Sequence, residues 1–569
     1  MMKAHPYRSI TLLFISALLW AGPALAARPD LVLLITVDQL RGDMPWRLQD
    51  RLAPKGFRYF LDNGTAYTNA HYSHVITTTA AGHATLATGG NIPQHGIAGN
   101  EWFDMETRRK VYNTADPNHP VFGTPEYKTE GRSPRNLTSS TYGDELVVAS
   151  GGKSRVFSVS IKDRAAILLG GHLGKAHWYQ KTSGNFVSSN YYYEELPAWM
   201  QRWNAGKPAD QFVDSNWELL LAPETYTFID QDDRPYEKSH KYMGRTFPHR
   251  MATPNKKDYY SALRYTPMGD QLTLQFAKTL VAEENIGNGA DTDILAVSFS
   301  VTDYIGHAFG PYSLEAEDNL LRLDRTLQEL LEFIDQEVGL KNTLVVLTSD
   351  HGVSPIPEHM AKLGITAKRH DPLVFVNTAN ALLQERFSTD ATLILAYQTP
   401  GIYLDQDTIR THGLELETVE RTLAEEMMKM PGFSLALTKS DLLVNRVPDT
   451  VAARSVASGF HPSRSGHVIL VQDPFWFLGG WPHGDSAMHG SPYSYDTHVP
   501  IMIAGPGIGQ GVVSQRVAPR DVAPTLTGYL GVSPPSGSTG NPLPGLEGGI
   551  SVERVPIRRH PSASQPPEQ

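Results

Sequence analysis

The sequence has no cysteine among its 569 residues, so the chain forms no disulfide, carries no cysteine for a lipid anchor and offers no thiolate to a metal ion. Beyond its N-terminal segment it also has no apolar run long enough to span a bilayer. Positive charge is scarce, since 50 Lys and Arg stand against 60 Asp and Glu for a formal net charge of −10. A net acidic protein is a poor binder of polyanions, and we expect no nucleic-acid binding through bulk charge.

The first 26 residues have the pattern of a secretory signal peptide. Lys3 and Arg8 form a basic start, residues 10–20 are mainly apolar, and Ala-Leu-Ala at 24–26 is a small-residue cleavage pattern. A membrane anchor, the alternative, needs about 20 apolar residues, and this stretch is roughly half that length. Cleavage would leave a chain with a formal charge of −12, because residues 1–26 contain no acidic residue. An exported chain of this size without cysteine predicts a periplasmic or secreted bacterial protein with no membrane anchor.

Four apolar runs with little polar alternation predict buried strands. They are LVLLITVD ending at Asp38, RVFSVSIKDR ending near Lys162, DILAVSFSVTD ending at Asp303, and NTLVVLTSDH ending at Asp350 and His351. Runs rich in Val, Ile and Leu suit parallel strands covered on both faces. We therefore expect an α/β fold with a mostly parallel sheet sandwiched by helices.

Later segments add helices and a further strand to this pattern. SLEAEDNLLRLDRTLQELLEFIDQ predicts an amphipathic crossover helix, because apolar residues recur in it at helical spacing with charges between them. Those apolar residues are Leu320, Leu323, Leu327, Leu330 and Ile334. Residues 497–505 predict another strand, and RDVAPTLTGYLG predicts a short helix that ends at Gly531.

Two stretches interrupt the alternation of strands and helices. Residues from about 174 to 289 are rich in Tyr, Trp, Asp and Asn, with long loops, and predict an inserted cap over one end of the sheet. Residues from about 359 to 470 predict a second insertion with its own α/β elements. The run from Ser533 is dense in Pro, Gly and Ser, which predicts a wrap on the core and then a tail from about residue 547. We expect residues 27–569 to form one domain with these insertions.

Each of the four predicted strands ends at residues that can ligate a metal ion or a phosphate. They are Asp38, then Lys162-Asp163-Arg164, then Asp303-x-x-x-His307, and finally Asp350-His351. Open parallel sheets bind ligands outside the carboxyl ends of their strands. A single Asp at a strand end is more often a helix cap or turn former, but the coincidence at four strand ends favours a site.

Aspartate and histidine together suit Zn²⁺ or a similar divalent ion. Three Asp and two His exceed what one open catalytic site requires. With one more His they would fill two sites, the arrangement that clamps the attacking and leaving oxygens of a phosphoryl displacement. The segment MHGSPYSYDTHVP offers His489 and His498, and spacing does not choose between them.

Three consecutive threonines, Thr77, Thr78 and Thr79, stand before a small-residue run in HYSHVITTTAAGHATLATGG. One interpretation is a helix cap, because a threonine hydroxyl can accept a hydrogen bond from the first helical turn. The other is a catalytic nucleophile. This stretch alone favours the cap.

Taken in order, Asp38, TTTAAGH, HGIAGNEWFD, SIKDR, TDYIGH, SDHG and MHGS resemble the alkaline phosphatase superfamily, in its threonine-nucleophile periplasmic branch. The resemblance extends from about residue 31 to about residue 544. It implies a fold like that of the type I phosphodiesterases and nucleotide pyrophosphatases. It also implies hydrolysis of small-molecule phosphate monoesters through a phosphothreonine intermediate with two divalent ions.

Metal ligands follow from the resemblance. One ion would be held by Asp303, His307 and His489. The second would be held by Asp38, Asp350 and His351, together with the nucleophile oxygen. We expect Zn²⁺ in both sites, with Ca²⁺ or another divalent ion as the alternative.

The resemblance selects Thr79 as the nucleophile, because the family places that hydroxyl directly before Ala-x-Gly-His. A hydroxyl at a helix N-terminus that also touches a dication meets two fields favouring the alkoxide. Thr77 and Thr78 would then pack at the strand end. Asn100, in HGIAGNEW, matches the family residue that donates an amide hydrogen bond to a phosphoryl oxygen.

Lys162 and Arg164 resemble the Lys-x-Arg pair of the family's monoesterases, which its diesterases lack. A monoester dianion presents three terminal oxygens and a diester only two, so two cations favour the monoester. Taken without the other motifs, the pair would be ordinary surface charge. We expect Asp163 to point away from the site in an extended segment, Gly82 to allow close packing of a helix, and His83 to support the site or the fold.

The sequence disfavours three other functions. A phosphodiesterase or nucleotide pyrophosphatase would use the same metals, but Lys162 and Arg164 argue against it. An arylsulfatase is excluded because its formylglycine precursor is usually cysteine. A non-catalytic, metal-stabilised phosphate-binding protein is disfavoured, because all six ligands and the threonine are present. We expect a monomeric phosphate monoester hydrolase.

Overall fold

A nine-stranded sheet runs through the computed structural model, which describes residues 28–123, 130–479 and 484–546. The predicted signal peptide and the predicted tail from about residue 547 lie outside the described residues. Among the described helices, none combines the length and apolar character needed to cross a membrane.

The described strands are β1 (Leu31–Val37), β2 (Gly64–His71), β3 (Glu101–Asp104), β4 (Arg109–Tyr112), β5 (Val156–Ser160), β6 (Lys175–Gln180), β7 (Asn185–Val187), β8 (Asn216–Trp217), β9 (His249–Arg250), β10 (Asp293–Phe299), β11 (Thr343–Thr348), β12 (Arg369–His370), β13 (Ile394–Gln398), β14 (Gly401–Leu404), β15 (Phe433–Thr438), β16 (Val468–Gln472), β17 (Phe477–Leu478), β18 (His498–Ala504) and β19 (Gly511–Val513).

The described α-helices are α1 (Met44–Arg47), α2 (Phe57–Asn63), α3 (Thr79–Thr88), α4 (Ile92–His95), α5 (Tyr142–Ala149), α6 (Asp163–Gly170), α7 (Ala198–Ala205), α8 (Lys256–Leu263), α9 (Met268–Glu284), α10 (Val301–Phe309), α11 (Leu314–Glu337), α12 (Pro357–Lys362), α13 (Pro372–Phe387), α14 (Gln406–Thr411), α15 (Leu416–Lys429), α16 (Lys439–Leu443), α17 (Val451–Ser458), α18 (Ser494–Thr497) and α19 (Val522–Leu530).

The main sheet has the strand order β19-β2-β18-β11-β1-β10-β5-β6-β7. Its centre is parallel, because β1 pairs in parallel with both β10 and β11, β10 with β5, and β5 with β6. Toward the edges, β18 runs antiparallel to β11 and β2, and β7 runs antiparallel to β6. The predicted α/β class with a mostly parallel sheet is confirmed. The carboxyl ends of β1, β5, β10 and β11 therefore lie at one edge.

Helices cover both faces of the sheet. Leu33 and Ile35 of β1 belong to a core cluster that includes residues of α9 and α11, while Val32 and Leu34 belong to a cluster that includes residues of α5 and α19. All seven residues of β1 are buried. Burial on both faces explains why the strand is an unbroken apolar run, and each such side chain stabilises the fold by about 1.5 to 3 kcal/mol.

Two predicted chain paths differ from the structure. The strand predicted to end at Asp303 ends at Phe299, and α10 begins at Val301, so Asp303 lies in a helix. Asp163 was expected in an extended segment and instead begins α6. In the first case the β-branched Val301 continues the apolar run into the helix, so the pattern gives no sign of the boundary. The helix start is held by a distant residue instead, since Asp270 Oδ1 accepts from the backbone N–H of Ser300 at 3.1 Å.

The insertion boundary predicted at about residue 174 also differs, because β6 and β7 extend the main sheet. Farther along the chain, β13, β14, β16 and β15 form a separate four-stranded sheet. Its own apolar cluster includes Phe375, Leu423 and Leu470. This second sheet lies within the stretch predicted to carry its own α/β elements and extends two residues past it, to Gln472.

Candidate active site

The loops at the carboxyl edge of the parallel strands bring the predicted site residues together. Asp38 directly follows β1, and Asp350 lies two residues after β11. Lys162 occupies the N-cap position of α6, after β5. Asp303 and His307 lie on α10, after β10, where a spacing of four residues puts both side chains on one face of the helix.

Thr79 is the first residue of α3, and its hydroxyl faces two cations. Lys162 Nζ lies 3.3 Å and an Arg164 guanidinium nitrogen 3.2 Å from Thr79 Oγ1. Thr78 is at the N-cap position but makes no capping hydrogen bond with its side chain, and Thr77 Oγ1 donates to the Ser491 carbonyl at 3.0 Å. The capping interpretation therefore fails for all three threonines.

Asn100 caps this helix in their place. Its Oδ1 accepts from the backbone N–H of Ala80 at 2.9 Å. Because that oxygen is engaged, the amide NH₂ is the group left to donate to a bound oxyanion. The contact also ties the orientation of Asn100 to the start of α3, next to Thr79.

Gly82 allows α3 to approach the end of β11. A Cβ at this position would lie 2.1 Å from the carbonyl oxygen of Asp350. Any other residue would push the start of α3, and the Thr79 hydroxyl with it, away from Asp350. His83, one residue on, has its Nδ1 3.2 Å from Asp350 Oδ2 and its Nε2 2.9 Å from the Ser298 hydroxyl.

Asp303, His307 and His489 form a group whose ligand atoms lie close enough to bind one ion. Asp303 Oδ1 is 3.3 Å from His307 Nε2 and 3.5 Å from His489 Nε2. His498 lies at the start of β18 and is not part of this group. Its Nε2 is 3.0 Å from the Thr68 carbonyl oxygen instead.

The ring hydrogens of these histidines are placed by backbone carbonyls. Nδ1 of His489 donates to Thr77 O at 2.7 Å, and Nδ1 of His307 donates to Ala487 O at 2.8 Å. Nε2 is then the free lone pair in each neutral ring, yet the two Nε2 atoms are only 3.2 Å apart. Two facing lone pairs require a cation between them. Although burial opposes the charge, the Asp303 carboxylate raises the pKa of His307 to about 9, so a proton is favoured where an ion would sit.

Asp38, Asp350 and His351 form a second such group, and all three residues are fully buried. His351 Nε2 lies 3.5 Å from Asp38 Oδ1 and 3.4 Å from Asp350 Oδ2. Among the described residues none forms a hydrogen bond with Asp38 Oδ1 or with His351 Nε2. Burial lowers the pKa of His351 to about 3, which keeps its ring neutral and its lone pair available. Orphaned buried oxygen and nitrogen atoms of this kind fit a divalent ion.

Lys162 lies between the two groups. Its Nζ is 2.7 Å from Asp38 Oδ2 and 2.5 Å from Asp303 Oδ2. This ammonium contacts two of the three buried carboxylates. Burial together with the nearby Asp350 charge raises the pKa of Asp38 well above its ordinary value. Repulsion between these carboxylates is further reason for cations to bind here.

Asp163 supports the neighbouring arginine without facing the nucleophile. Its carboxylate accepts from the Tyr112 hydroxyl at 2.5 Å and from Arg132 Nε at 2.7 Å, and it also accepts the backbone N–H of Arg164. These contacts fix the first turn of α6, from which Arg164 reaches Thr79.

Gln39 belongs to the site but carries no signal in the sequence. It follows Asp38 and contacts both candidate metal groups, through its backbone to Asp350 and through its side chain to Asp303. These contacts span more than 260 positions along the chain, so only the folded structure reveals them.

A hydroxyl at a helix start, two cations beside it and two groups of carboxylate and imidazole ligands are the groups that a two-metal phosphoryl-transfer site requires. Residues 32–493 match the family described as type I phosphodiesterase / nucleotide pyrophosphatase, and the chain belongs to this family. The resemblance to the alkaline phosphatase superfamily is confirmed.

Several curated relatives match nearly the whole chain. The alkaline phosphatase PafA of Elizabethkingia meningoseptica is 35% identical over 91% of this chain and 94% of its own length. The alkaline phosphatase PhoV of Synechococcus elongatus is 33% identical over 92% and 94%. A Myroides odoratus protein named calcium-transporting ATPase is 34% identical over 91% and 94%. The crystal structure of PafA superposes with a TM-score of 0.84 at 34% identity, covering 91% of this chain and 98% of PafA.

Proposed function

We propose that this protein is a metal-dependent alkaline phosphatase, which hydrolyses phosphate monoesters through a phosphothreonine formed on Thr79. The observation that carries the proposal is the convergence of Lys162 and Arg164 on the Thr79 hydroxyl, at 3.3 and 3.2 Å. The names of PafA and PhoV support the same activity.

In the first step the Thr79 hydroxyl loses its proton to solvent and Oγ1 attacks phosphorus. The Oγ1–P bond forms, the bond from phosphorus to the leaving oxygen breaks, and the leaving group takes up a proton and departs as the alcohol or phenol. In the second step water attacks the phosphothreonine, inorganic phosphate leaves and the Thr79 hydroxyl is restored. The position of Thr79 at the start of α3 places its developing negative charge at the positive end of the helix dipole. Lys162, Arg164 and the Asn100 amide bind the phosphoryl oxygens and hold phosphorus in line with Oγ1.

The six carboxylate and imidazole ligands would hold two divalent ions, one in each group. Such ligands without thiolates favour Zn²⁺ in both sites. When bound, such ions supply Lewis-acid stabilisation of the attacking and leaving oxygens.

Charge at the nucleophile favours monoesters over diesters. Arg164 carries a permanent charge, and the Asp303 and Asp38 carboxylates raise the pKa of Lys162 against the opposing effect of burial. Both groups are therefore cationic at neutral and alkaline pH. A monoester dianion offers an oxygen to each cation and a third to Asn100, whereas a diester has an alkyl group in one of these positions.

The composition and the N-terminal pattern support further parts of the proposal. We infer that residues 1–26 direct export to the periplasm or the medium and are then removed. The substrates would be small-molecule phosphate monoesters, and the protein would act as a monomer without a membrane anchor.

Release of the phenol from an aryl phosphate tests this function, with the corresponding methyl aryl diester as the comparison substrate. We expect the monoester to react faster in kcat/KM, and we expect a chelator to abolish the activity reversibly, with Zn²⁺ restoring it. A faster diester reaction would make the protein a phosphodiesterase instead. No phosphate release from metal-replete protein would favour a non-catalytic binding function.

A further inference from the structure

Gln39 connects the two candidate metal groups through hydrogen bonds to a carboxylate of each. Only 2% of its surface is exposed. Its backbone N–H donates to Asp350 Oδ1 at 3.0 Å, and its side-chain Nε2 donates to Asp303 Oδ1 at 2.9 Å. One residue thus donates a hydrogen bond to a carboxylate of each group.

The chain holds Gln39 in an unfavourable conformation to make these contacts. Its φ is +70°, in the left-handed region that residues with a Cβ rarely adopt. Such backbone conformations cost free energy and persist only where the surroundings enforce them, most often at functional sites. This conformation allows the residue after Asp38 to turn its N–H toward Asp350 and its side chain toward Asp303.

Space for the side chain depends on Gly306 of α10. A Cβ at position 306 would lie 1.8 Å from Gln39 Oε1. The glycine therefore leaves room for the amide beside the turn of helix that carries Asp303 and His307. The backbone conformation of Gln39, its two hydrogen bonds and the absence of a side chain at Gly306 together hold the Gln39 amide in place.

We propose that Gln39 is a positioning residue, which fixes the Asp303 carboxylate relative to Asp350 and thereby sets the spacing between the two metal sites. The inference rests on the two-metal function proposed above. The hydrogen bond from Nε2 holds Asp303 Oδ1 toward His307 and His489. The bond from the backbone N–H occupies Asp350 Oδ1 and leaves Oδ2 facing His351. Hydrogen bonds to metal-bound carboxylates commonly change metal affinity when they are removed.

Gln39→Met tests the side-chain contact, because Met has nearly the same length but no donor, while the backbone N–H to Asp350 remains. Bound Zn²⁺ is measured by elemental analysis across a series of chelator concentrations. We expect the affinity for one of the two ions to fall by about 10- to 100-fold, with the other ion retained. Cooperative thermal unfolding of the metal-free variant shows that it is folded.

Gly306→Ala provides a second route to the same displacement if Gln39→Met does not fold. The added methyl group should push the Gln39 amide away from Asp303 and weaken the same ion. In Gln39→Gly the side chain is absent, so adding Gly306→Ala should cause no further loss of metal. Additive losses in the double variant would show that Gly306→Ala acts on α10 directly and would contradict the inference.

If Gln39→Met and Gly306→Ala both bind two ions with the affinity of wild type, the inference is overturned. A wild-type protein that binds fewer than two ions would instead overturn the two-metal function. The two failures are therefore distinguishable.

Discussion

At the scale of single residues, the three threonines before α3 differ in what their hydroxyls contact. Thr79 Oγ1 faces Lys162 and Arg164, whereas Thr77 Oγ1 is bound to a backbone carbonyl. Thr78 Oγ1 has no hydrogen-bond partner among the described residues. The two cations beside its hydroxyl therefore distinguish Thr79 from its neighbours as the candidate nucleophile.

We predict that Thr79→Ala abolishes nearly all turnover, because no nucleophile remains, and leaves the fold and metal content in place. Thr79→Ser should retain substantial activity, since the hydroxyl survives. Thr77→Ala and Thr78→Ala serve as matched controls and should stay active. Phosphate release and elemental analysis check the prediction, and an inactive Thr78→Ala beside an active Thr79→Ala would reassign the nucleophile.

His489→Ala should lower the bound metal from two ions toward one. His489 Nε2 faces His307 and Asp303, whereas His498 contacts the Thr68 carbonyl. His498→Ala should therefore keep both ions, although it removes a histidine only nine positions away. Elemental analysis that finds two ions in the His489 variant would place the sixth ligand elsewhere.

Residue types and their order were enough to nominate the candidate site, because ligands and nucleophile have distinctive chemistry. The contacts between these residues could not be predicted from the sequence. Gln39 is an ordinary glutamine in the sequence, and its importance comes from a left-handed backbone and from partners at positions 303 and 350. A positive φ outside glycine leaves no pattern that spacing can reveal.

At the scale of elements, the helix that carries Asp303 and His307 depends on a buried carboxylate of α9. Asp270 Oδ1 accepts the backbone N–H groups of Ser300 and Val301 at 3.1 and 3.2 Å. Burial raises the pKa of Asp270 to about 7, although both hydrogen bonds oppose the shift. The start of α10 is therefore held by a group that titrates near neutral pH.

Asp270→Asn should remove one pH-dependent contribution to the protein's stability. The folded carboxyl binds its proton more tightly than the unfolded one, so the contribution of Asp270 to stability falls as pH rises from about 4 to about 7. Within that window the contribution of Asp270 to the free energy of unfolding changes by up to about 1.4 kcal/mol per pH unit, because unfolding releases about one proton. The stability of the Asp270→Asn variant relative to wild type should therefore rise between about pH 4 and pH 8, as measured by denaturant unfolding. A difference that stays constant with pH would contradict the prediction.

The strands could be predicted because apolar runs buried on both faces are long and unmistakable, as in β1. Their ends could not, because β10 passes into α10 without a polar break and its helix cap comes from α9. The four-residue spacing of Asp303 and His307 was the one local sign that this segment is helical.

At the scale of the whole molecule, the site gathers three carboxylates at one edge of the sheet. Asp38, Asp303 and Asp350 are each at least 97% buried. The ligands of the two candidate metal groups come from segments between positions 38 and 489. An ion bound in either group therefore connects distant parts of the chain. Metal binding should therefore stabilise the entire fold.

Removal of metal should lower the melting temperature, and Zn²⁺ should restore it. An ion at 100 times its dissociation constant contributes about 2.7 kcal/mol to stability. His489→Ala, which is expected to bind one ion fewer, should show a smaller difference between its metal-loaded and metal-free forms. Equal melting temperatures for both forms of wild type would mean that the two groups do not bind metal in the folded protein.

The α/β fold class could be predicted from the sequence, whereas the boundaries of the insertions could not. Tyr- and Trp-rich composition suggested an insertion from about residue 174, but β6 pairs with β5 in the main sheet. A strand near the edge of the sheet that buries aromatic side chains such as Trp178 resembles an inserted segment in composition. Only the hydrogen-bonded register shows where the sheet ends.

The central claim, monoester hydrolysis directed by Lys162 and Arg164, is tested most directly by removing both cations. Each should contribute about 1.5 to 3 kcal/mol through a charge-assisted hydrogen bond to a phosphoryl oxygen. We predict that Lys162→Ala combined with Arg164→Ala lowers kcat/KM for an aryl phosphate by on the order of a hundredfold or more. The methyl aryl diester should lose far less, so the preference for the monoester should narrow by at least about tenfold, or roughly 1.4 kcal/mol. Equal losses on both substrates would contradict the account, because the pair would then serve structure or general electrostatics.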